Sequence, residues 1–178
     1  VHDRGMATAE TLVWYVQRQQ RFISAVSADS ALQAVLDAVP AAELMAQPLD
    51  YQPQRASRAA EPGYYGVWRE YRLTHAQQSV RLRLLVVYSV GKARLDAEKR
   101  QTLLDRLLQR LGRIQAQLNQ RKYKRRAYTL EQIHLAQRGN GAAHLVDIDL
   151  QGEEGALVFS YQVNADKLAQ AQQRDGRY

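Results

Sequence analysis

Carboxylates and cations are the side chains of this sequence that could do chemistry. Asp3 sits in the run Val1-His2-Asp3-Arg4-Gly5-Met6. Taken alone, that run reads as a strand end entering a turn, where Asp is a common turn former. Asp147 and Asp149 are spaced by two on a strand-like segment, so both carboxylates project from one face. Such a pair could hold a cation, but the solvated face of a half-exposed strand accounts for it more simply. Glu153 and Glu154 are turn residues. Lys122, Lys124, Arg125 and Arg126 form the densest basic cluster, with Tyr123 and Tyr128 interleaved. Cations in this pattern can displace the counterions of a phosphate backbone, and aromatics can stack on bases. The competing reading is a helix C-terminus, where cations are favoured by the helix dipole. Arg81 and Arg83 alternate onto one face of a strand and could line a DNA-facing surface. Arg106, Arg110 and Arg113 read as an ordinary solvated helix face. The four histidines, His2, His75, His134 and His144, show no metal-ligand spacing. No nucleophile motif, phosphate-binding loop or dinucleotide fingerprint is present.

These residues need elements to position them. Thr8 is the expected N-cap of a helix through Gln19, and Arg21 to Val26 reads as a short strand. Strand end, helix and strand together suggest an α/β layer. Asp29 caps a second helix through Val39, which Pro40 stops. Pro48, Pro53, Pro62 and Gly63 mark an irregular stretch with a subdomain boundary inside it. Tyr64 to Leu73 and Val80 to Tyr88 then alternate as an antiparallel hairpin. Trp68 and Tyr65 fall on its opposite faces. Lys92 to Lys122 is the clearest helix, because Leu104, Leu107, Leu111, Ile114 and Leu118 recur every three or four residues. Thr129 and Gln132 look like a capping box for a shorter helix to Arg138, ended by Gly139-Asn140-Gly141. A second hairpin follows, with its turn at Gly152-Glu153-Glu154-Gly155. Asn164 caps a helix to Gln172, and Asp175 to Tyr178 approaches a further strand.

Composition narrows the function classes. An apolar fraction of 46% supplies a real core, and a charged fraction of 24% is ordinary for a folded domain. The net charge of +7 suits a polyanionic partner. It is concentrated: Lys92 to Arg126 holds twelve basic residues against three acidic ones, a local excess of nine that is more than the whole net charge. The absence of cysteine excludes disulfides and thiolate zinc sites, and fits a reducing, cytoplasmic setting. No apolar run has the length of a membrane span. The chain opens on Val1 without a signal-peptide pattern, which reads as a trimmed reading frame.

Three stretches carry a resemblance. Val1-His2-Asp3-Arg4-Gly5-Met6 with the following helix and Arg21-Phe22-Ile23 is one. Tyr65-Gly66-Val67-Trp68 with Leu84-Leu85-Val86-Val87-Tyr88-Ser89, leading into the basic helix, is the second. Asp175-Gly176-Arg177-Tyr178 is the third. In this order they resemble the DDE transposases of bacterial insertion sequences, in the branch with a β-rich insertion inside an RNase H-like core. The resemblance implies an α/β fold: a partial RNase H-like core with an inserted α+β subdomain of antiparallel hairpins and a long basic helix. The segments would be core over 1–47, linker over 48–62, insertion over 63–163 and a return to the core over 164–178.

The resemblance also implies a chemistry. Asp3 would be the second of three catalytic carboxylates and a metal ligand, with the first upstream of Val1 and a Glu downstream of Tyr178. Two Mg2+ or Mn2+ ions among the three would support cutting and joining of transposon-end DNA. This segment alone, a central fragment, would be inactive. Lys122, Lys124, Arg125, Arg126, Arg81 and Arg83 would contact double-stranded DNA. A homodimer in a bacterial, nucleoid-associated setting is implied for the intact protein, and an unpaired base at a transposon end is offered to an exposed Trp68 or Tyr65 as a stacking partner. Two other classes compete: a non-catalytic nucleic-acid-binding domain, and a helical self-association module built on the Leu104–Leu118 seam.

Overall fold

A computed structural model describes residues 8–26, 29–51 and 63–178. Over these residues the chain is mixed α/β, with six α-helices and two antiparallel two-stranded sheets. It divides into two compact units, 1–92 with 176–178 and 93–175. The first hairpin, expected from the sequence to belong to the insertion over 63–163, packs with the amino-terminal helices in the first unit. Asp3 and residues 52–62 of the expected linker lie outside the described residues. No helix among the described residues is long and apolar enough to cross a membrane.

The first unit begins with α1 (Ala9–Gln17), whose N-cap Thr8 accepts from Thr11 N at 3.2 Å. Asp29 caps α2 (Ser30–Asp37) through Leu32 N at 2.8 Å. Both caps match the sequence expectation. Pro40 does stop α2, and it also opens α3 (Ala41–Met45) as its N-cap. Strands β1 (Tyr64–His75) and β2 (Gln78–Ser89) pair along their whole length. Their turn residues Ala76 and Gln77 both have positive φ, 46° and 65°, the backbone that a two-residue hairpin turn demands. The inward face of the hairpin contributes Val67 and Val86 to a small core with Val39 and Leu44. Further strands begin to form at the open end. Gly66 N donates to Gln47 O and Leu49 N to Tyr64 O, a bridge in which Pro48 needs no N–H. A Cβ on Gly66 would come within 2.9 Å of a Leu49 methyl, so a larger residue there would make the Leu49 side chain shift. On the other edge Tyr178 and Val87 exchange backbone bonds of 2.8 and 2.9 Å, so the expected approach of 175–178 to a strand is realised against β2. Arg177 anchors it by donating to Leu36 O and Val39 O, at the end of α2.

The second unit is built on α4 (Val90–Ala116). Leu104, Leu107, Leu111 and Ile114 are buried on one face. They pack with Ile133 and Ala136 of α5 (Arg126–Gln137), and with Val146 and Leu150 of β3 (Val146–Gln151). Phe159 of β4 (Val158–Val163) closes the same core. The leucine seam is thus filled from within the unit. Fully burying each such side chain contributes about 1.5–3 kcal/mol. Asn164 caps α6 (Ala165–Gln173) through Lys167 N at 3.0 Å. Near the ends of the unit, Arg100 donates to both oxygens of Asp175 at 2.5 and 2.7 Å, with side chains only 14% and 15% exposed. That bidentate bond, more than the opposing desolvation, holds the Arg100 guanidinium above its ordinary pKa.

Three expectations fail. Arg21–Val26 forms no strand among the described residues; Ser24 makes a single bridge and Ile23 is 74% exposed. A strand needs a neighbour along its length, and alternation of side chains cannot supply one. α4 ends at Ala116 and not near Lys122, because Asn119 and Arg121 take left-handed backbone at φ 62° and 47°. Thr129 and Gln132 form no capping box, since α5 starts three residues earlier. Thr129 lies in the first turns of α5, fully buried, and donates its hydroxyl to Tyr123 O at 3.0 Å. From the filled seam, Leu111→Ala should lower stability by about 2–5 kcal/mol. Urea unfolding of the intact chain reads this, and a loss well under 1 kcal/mol would show that Leu111 does not organise the core.

Candidate nucleic-acid interface

The basic cluster occupies the connection between α4 and α5, and side-chain bonds shape that connection. Asn119 tolerates the left-handed backbone better than most residues. Its amide donates to Leu157 O at 2.9 Å and accepts from Leu157 N at 2.8 Å, imitating a strand neighbour. A single 3-10 turn follows over Arg121–Lys124. Gly155 N, from the β3–β4 turn, donates to Lys124 O at 2.9 Å. Tyr123 points inward against the core, edge-on to Tyr128 with ring centres 5.1 Å apart. Burial first, and then the neighbouring Tyr128, push the Tyr123 hydroxyl pKa upward. Each anchor satisfies a backbone group that a loop would otherwise leave to water. The connection is therefore tied at Asn119, Tyr123 and Lys124.

What this frame presents outward is charge. Arg121, Lys122, Lys124 and Arg125 are all exposed. The Lys122 ammonium lies 5.9 Å from the Tyr128 ring centre, at the outer range of a cation–π contact. Arg126 behaves differently: it donates to Leu150 O at 2.9 Å and to Gly152 O at 3.2 Å. It ties α5 to β3, so its expected DNA contact is not the role its bonds describe. The cluster also sits at the opposite helix end from the one expected. Arg125 is the N-cap of α5, and the first turn of that helix carries no acid. Cations there oppose the helix dipole, so helix stabilisation does not explain them. Four outward cations on a tied frame, at the positive end of a helix, make a surface suited to phosphate oxygens.

The other candidate residues fall elsewhere. Arg81 and Arg83 are exposed on β2, in the first unit, while the 121–126 cluster belongs to the second. Asp3 lies outside the described residues. Asp147 accepts from Asn164 and from Lys167, both at 2.7 Å, so its carboxylate ties β3 to the start of α6. The Lys167 bond first, and then the Asn164 bond, hold the Asp147 carboxyl below its ordinary range. Asp149 accepts from Gln151 at 2.6 Å. Among the described residues, no group of three or more His, Cys, Asp or Glu could hold a metal ion. Sequence reasoning does not single out Arg121 and Asn119. Arg121 adds to the charge excess but falls at an expected helix end, and only the left-handed backbone marks both residues.

No family model matches this chain, and neither the curated proteins nor the solved structures contain a match to it. The division of labour inside the cluster is directly measurable. Arg126→Ala should cost about 1–3 kcal/mol, since two backbone carbonyls lose a charged donor. Lys124→Ala, which removes an outward side chain, should stay within about 0.5 kcal/mol of the parent. Chemical denaturation of the two variants compares them, and equal losses would place Arg126 with the outward cations.

Proposed function

We propose that this chain is the central part of a DNA transposase of the DDE type, and that the 121–126 connection grips the phosphate backbone of transposon-end DNA. The observation that carries the reading is the path of the chain. It leaves the first unit at Lys92, builds a separate α+β unit over 93–175, and returns at Gly176 to pair with β2. An insertion within an α/β core follows such a path. The first unit would then hold part of an RNase H-like core, and Asp3 would be one of its three carboxylates. The two divalent ions such a site binds would supply Lewis acidity for phosphoryl transfer. The described residues assemble no such ligand set, so no catalytic step is assigned to them. Their part is binding: Arg121, Lys122, Lys124 and Arg125 neutralise phosphates and hold the duplex in register. Pairing of two DNA ends by a homodimer belongs to the same reading. The leucine seam packs against the unit's own residues, so in this reading a dimer is built on other surfaces.

A second reading is a nucleic-acid-binding domain without catalysis, supported by the exposed cations Arg121, Lys122, Lys124 and Arg125. One experiment separates the two. In the full reading frame that contains this chain, Asp3→Asn should reduce Mg2+-dependent nicking of a labelled transposon-end duplex by more than about a hundredfold. Its duplex affinity should be unchanged. Unaltered nicking removes Asp3 from the site, and DNA binding with no nicking by the parent leaves the binding-domain reading. Replacing Lys122, Lys124 and Arg125 together by Gln should lower the slope of log affinity against log salt by about 3, near 1 for each phosphate no longer neutralised. An unchanged slope would remove the connection from the interface.

A further inference from the structure

The outward face of the β1–β2 hairpin carries an arrangement that folding alone does not favour. The register sets Arg72 directly across from Arg81 and Glu70 across from Arg83. Counted from the His75–Gln78 pair at the turn, Arg72 and Arg81 fall at a non-hydrogen-bonded position, where facing side chains lie closest. Like charges placed so destabilise a sheet. Arg83 does not relieve this by bridging to Glu70. Its guanidinium lies over the Trp68 ring, 4.7 Å from the centroid. Trp68 is 53% exposed, and Arg72, Arg81 and Arg83 are exposed as well.

We infer that Arg72, Arg81 and Arg83, the last seated on Trp68, form a second DNA contact that takes phosphodiester oxygens of a duplex backbone. The facing arginines concentrate positive charge that an anion would offset. Trp68 holds Arg83 in place, with the guanidinium carbon 4.7 Å from the ring centroid, and the N–H donors that do not face the ring stay available to an acceptor. The same contact sets a cation over one face of the ring, where a stacking base would have to displace it. The mode is backbone recognition and not capture of an unpaired base. Glu70 is the one acid on this stretch of the face and leaves it net cationic. The inference rests on the reading that the partner is DNA, but not on Asp3 or on catalysis.

The test uses the full chain and a generic labelled duplex, followed by fluorescence anisotropy across a salt series, with thermal unfolding in parallel. Arg72→Gln and Arg81→Gln should each lower the salt slope by about 1 and weaken binding on the order of tenfold. Each should leave the melting temperature of the free protein unchanged or raised, because a like-charge contact is gone. Arg72→Lys should keep the slope. Trp68→Leu should weaken duplex binding about as much as Arg83→Gln does. An unchanged slope in the Gln variants overturns the inference while the proposed function, tested through Asp3 and the 121–126 connection, still stands. A lowered melting temperature overturns it too, since the arginines would then be structural. So would a Trp68→Leu loss greater for a single-stranded oligonucleotide than for the duplex, which would mark base stacking.

Discussion

Leu104, Leu107, Leu111 and Ile114 are the surface on which the second unit is assembled. α5 contributes Ile133 and Ala136 to it, and the second hairpin contributes Val146, Leu150 and Phe159. Because this stripe must stay covered, α4 fixes where every neighbouring element lies. The connection between α4 and α5 has to cross from one covered element to the next within a few residues. That constraint produces the left-handed Asn119, the 3-10 turn and the inward Tyr123. The cations between these anchors are held outward by exclusion, since the inward positions are already taken.

Side chains bonding to backbone complete the arrangement. Asn119 pairs with Leu157, Gln115 donates to Phe159 O, and Arg126 donates to Leu150 O and Gly152 O. A two-stranded hairpin leaves backbone groups without strand partners, and these bonds supply several of them from neighbouring helices. Arg126 is the instructive member, since its type suggests DNA and its bonds describe a strut. Charge in a sequence therefore over-counts candidates, and the partners of each cation sort them. The same sorting moves Asp147 from a cation pair to a tie between β3 and α6.

The first unit shows a different balance. Its hairpin is long, the core it shares among the described residues is small, and much of its outward face is exposed. Strand additions at 47–49 and 176–178 cover one end of it. Toward the turn, charged residues alternate on the outward face, and the Arg72–Arg81 opposition is created there by register alone. A neutral or mixed pair would stabilise the sheet better than two facing arginines.

Much of the fold was legible in the sequence, and the reason is local. Helix caps at Thr8, Asp29 and Asn164 are decided by one side chain and the three residues after it, so all three were readable. Both hairpins and the leucine stripe follow from periods of two and of three to four, which a few residues reveal. The failures lie where a distant partner decides. Arg21–Val26 has strand-like residues, but only Ser24 finds a bridge. Thr129 has the spacing of a cap, but the start of α5 is set by the turn before it. Of the candidate site, the sequence by itself determined which residues carry charge and that they cluster. Tertiary structure decided which of them point outward, that Arg126 is committed to β3, and that Arg72 faces Arg81. Orientation and pairing come from contacts between residues far apart in the chain, and spacing along the chain does not encode them.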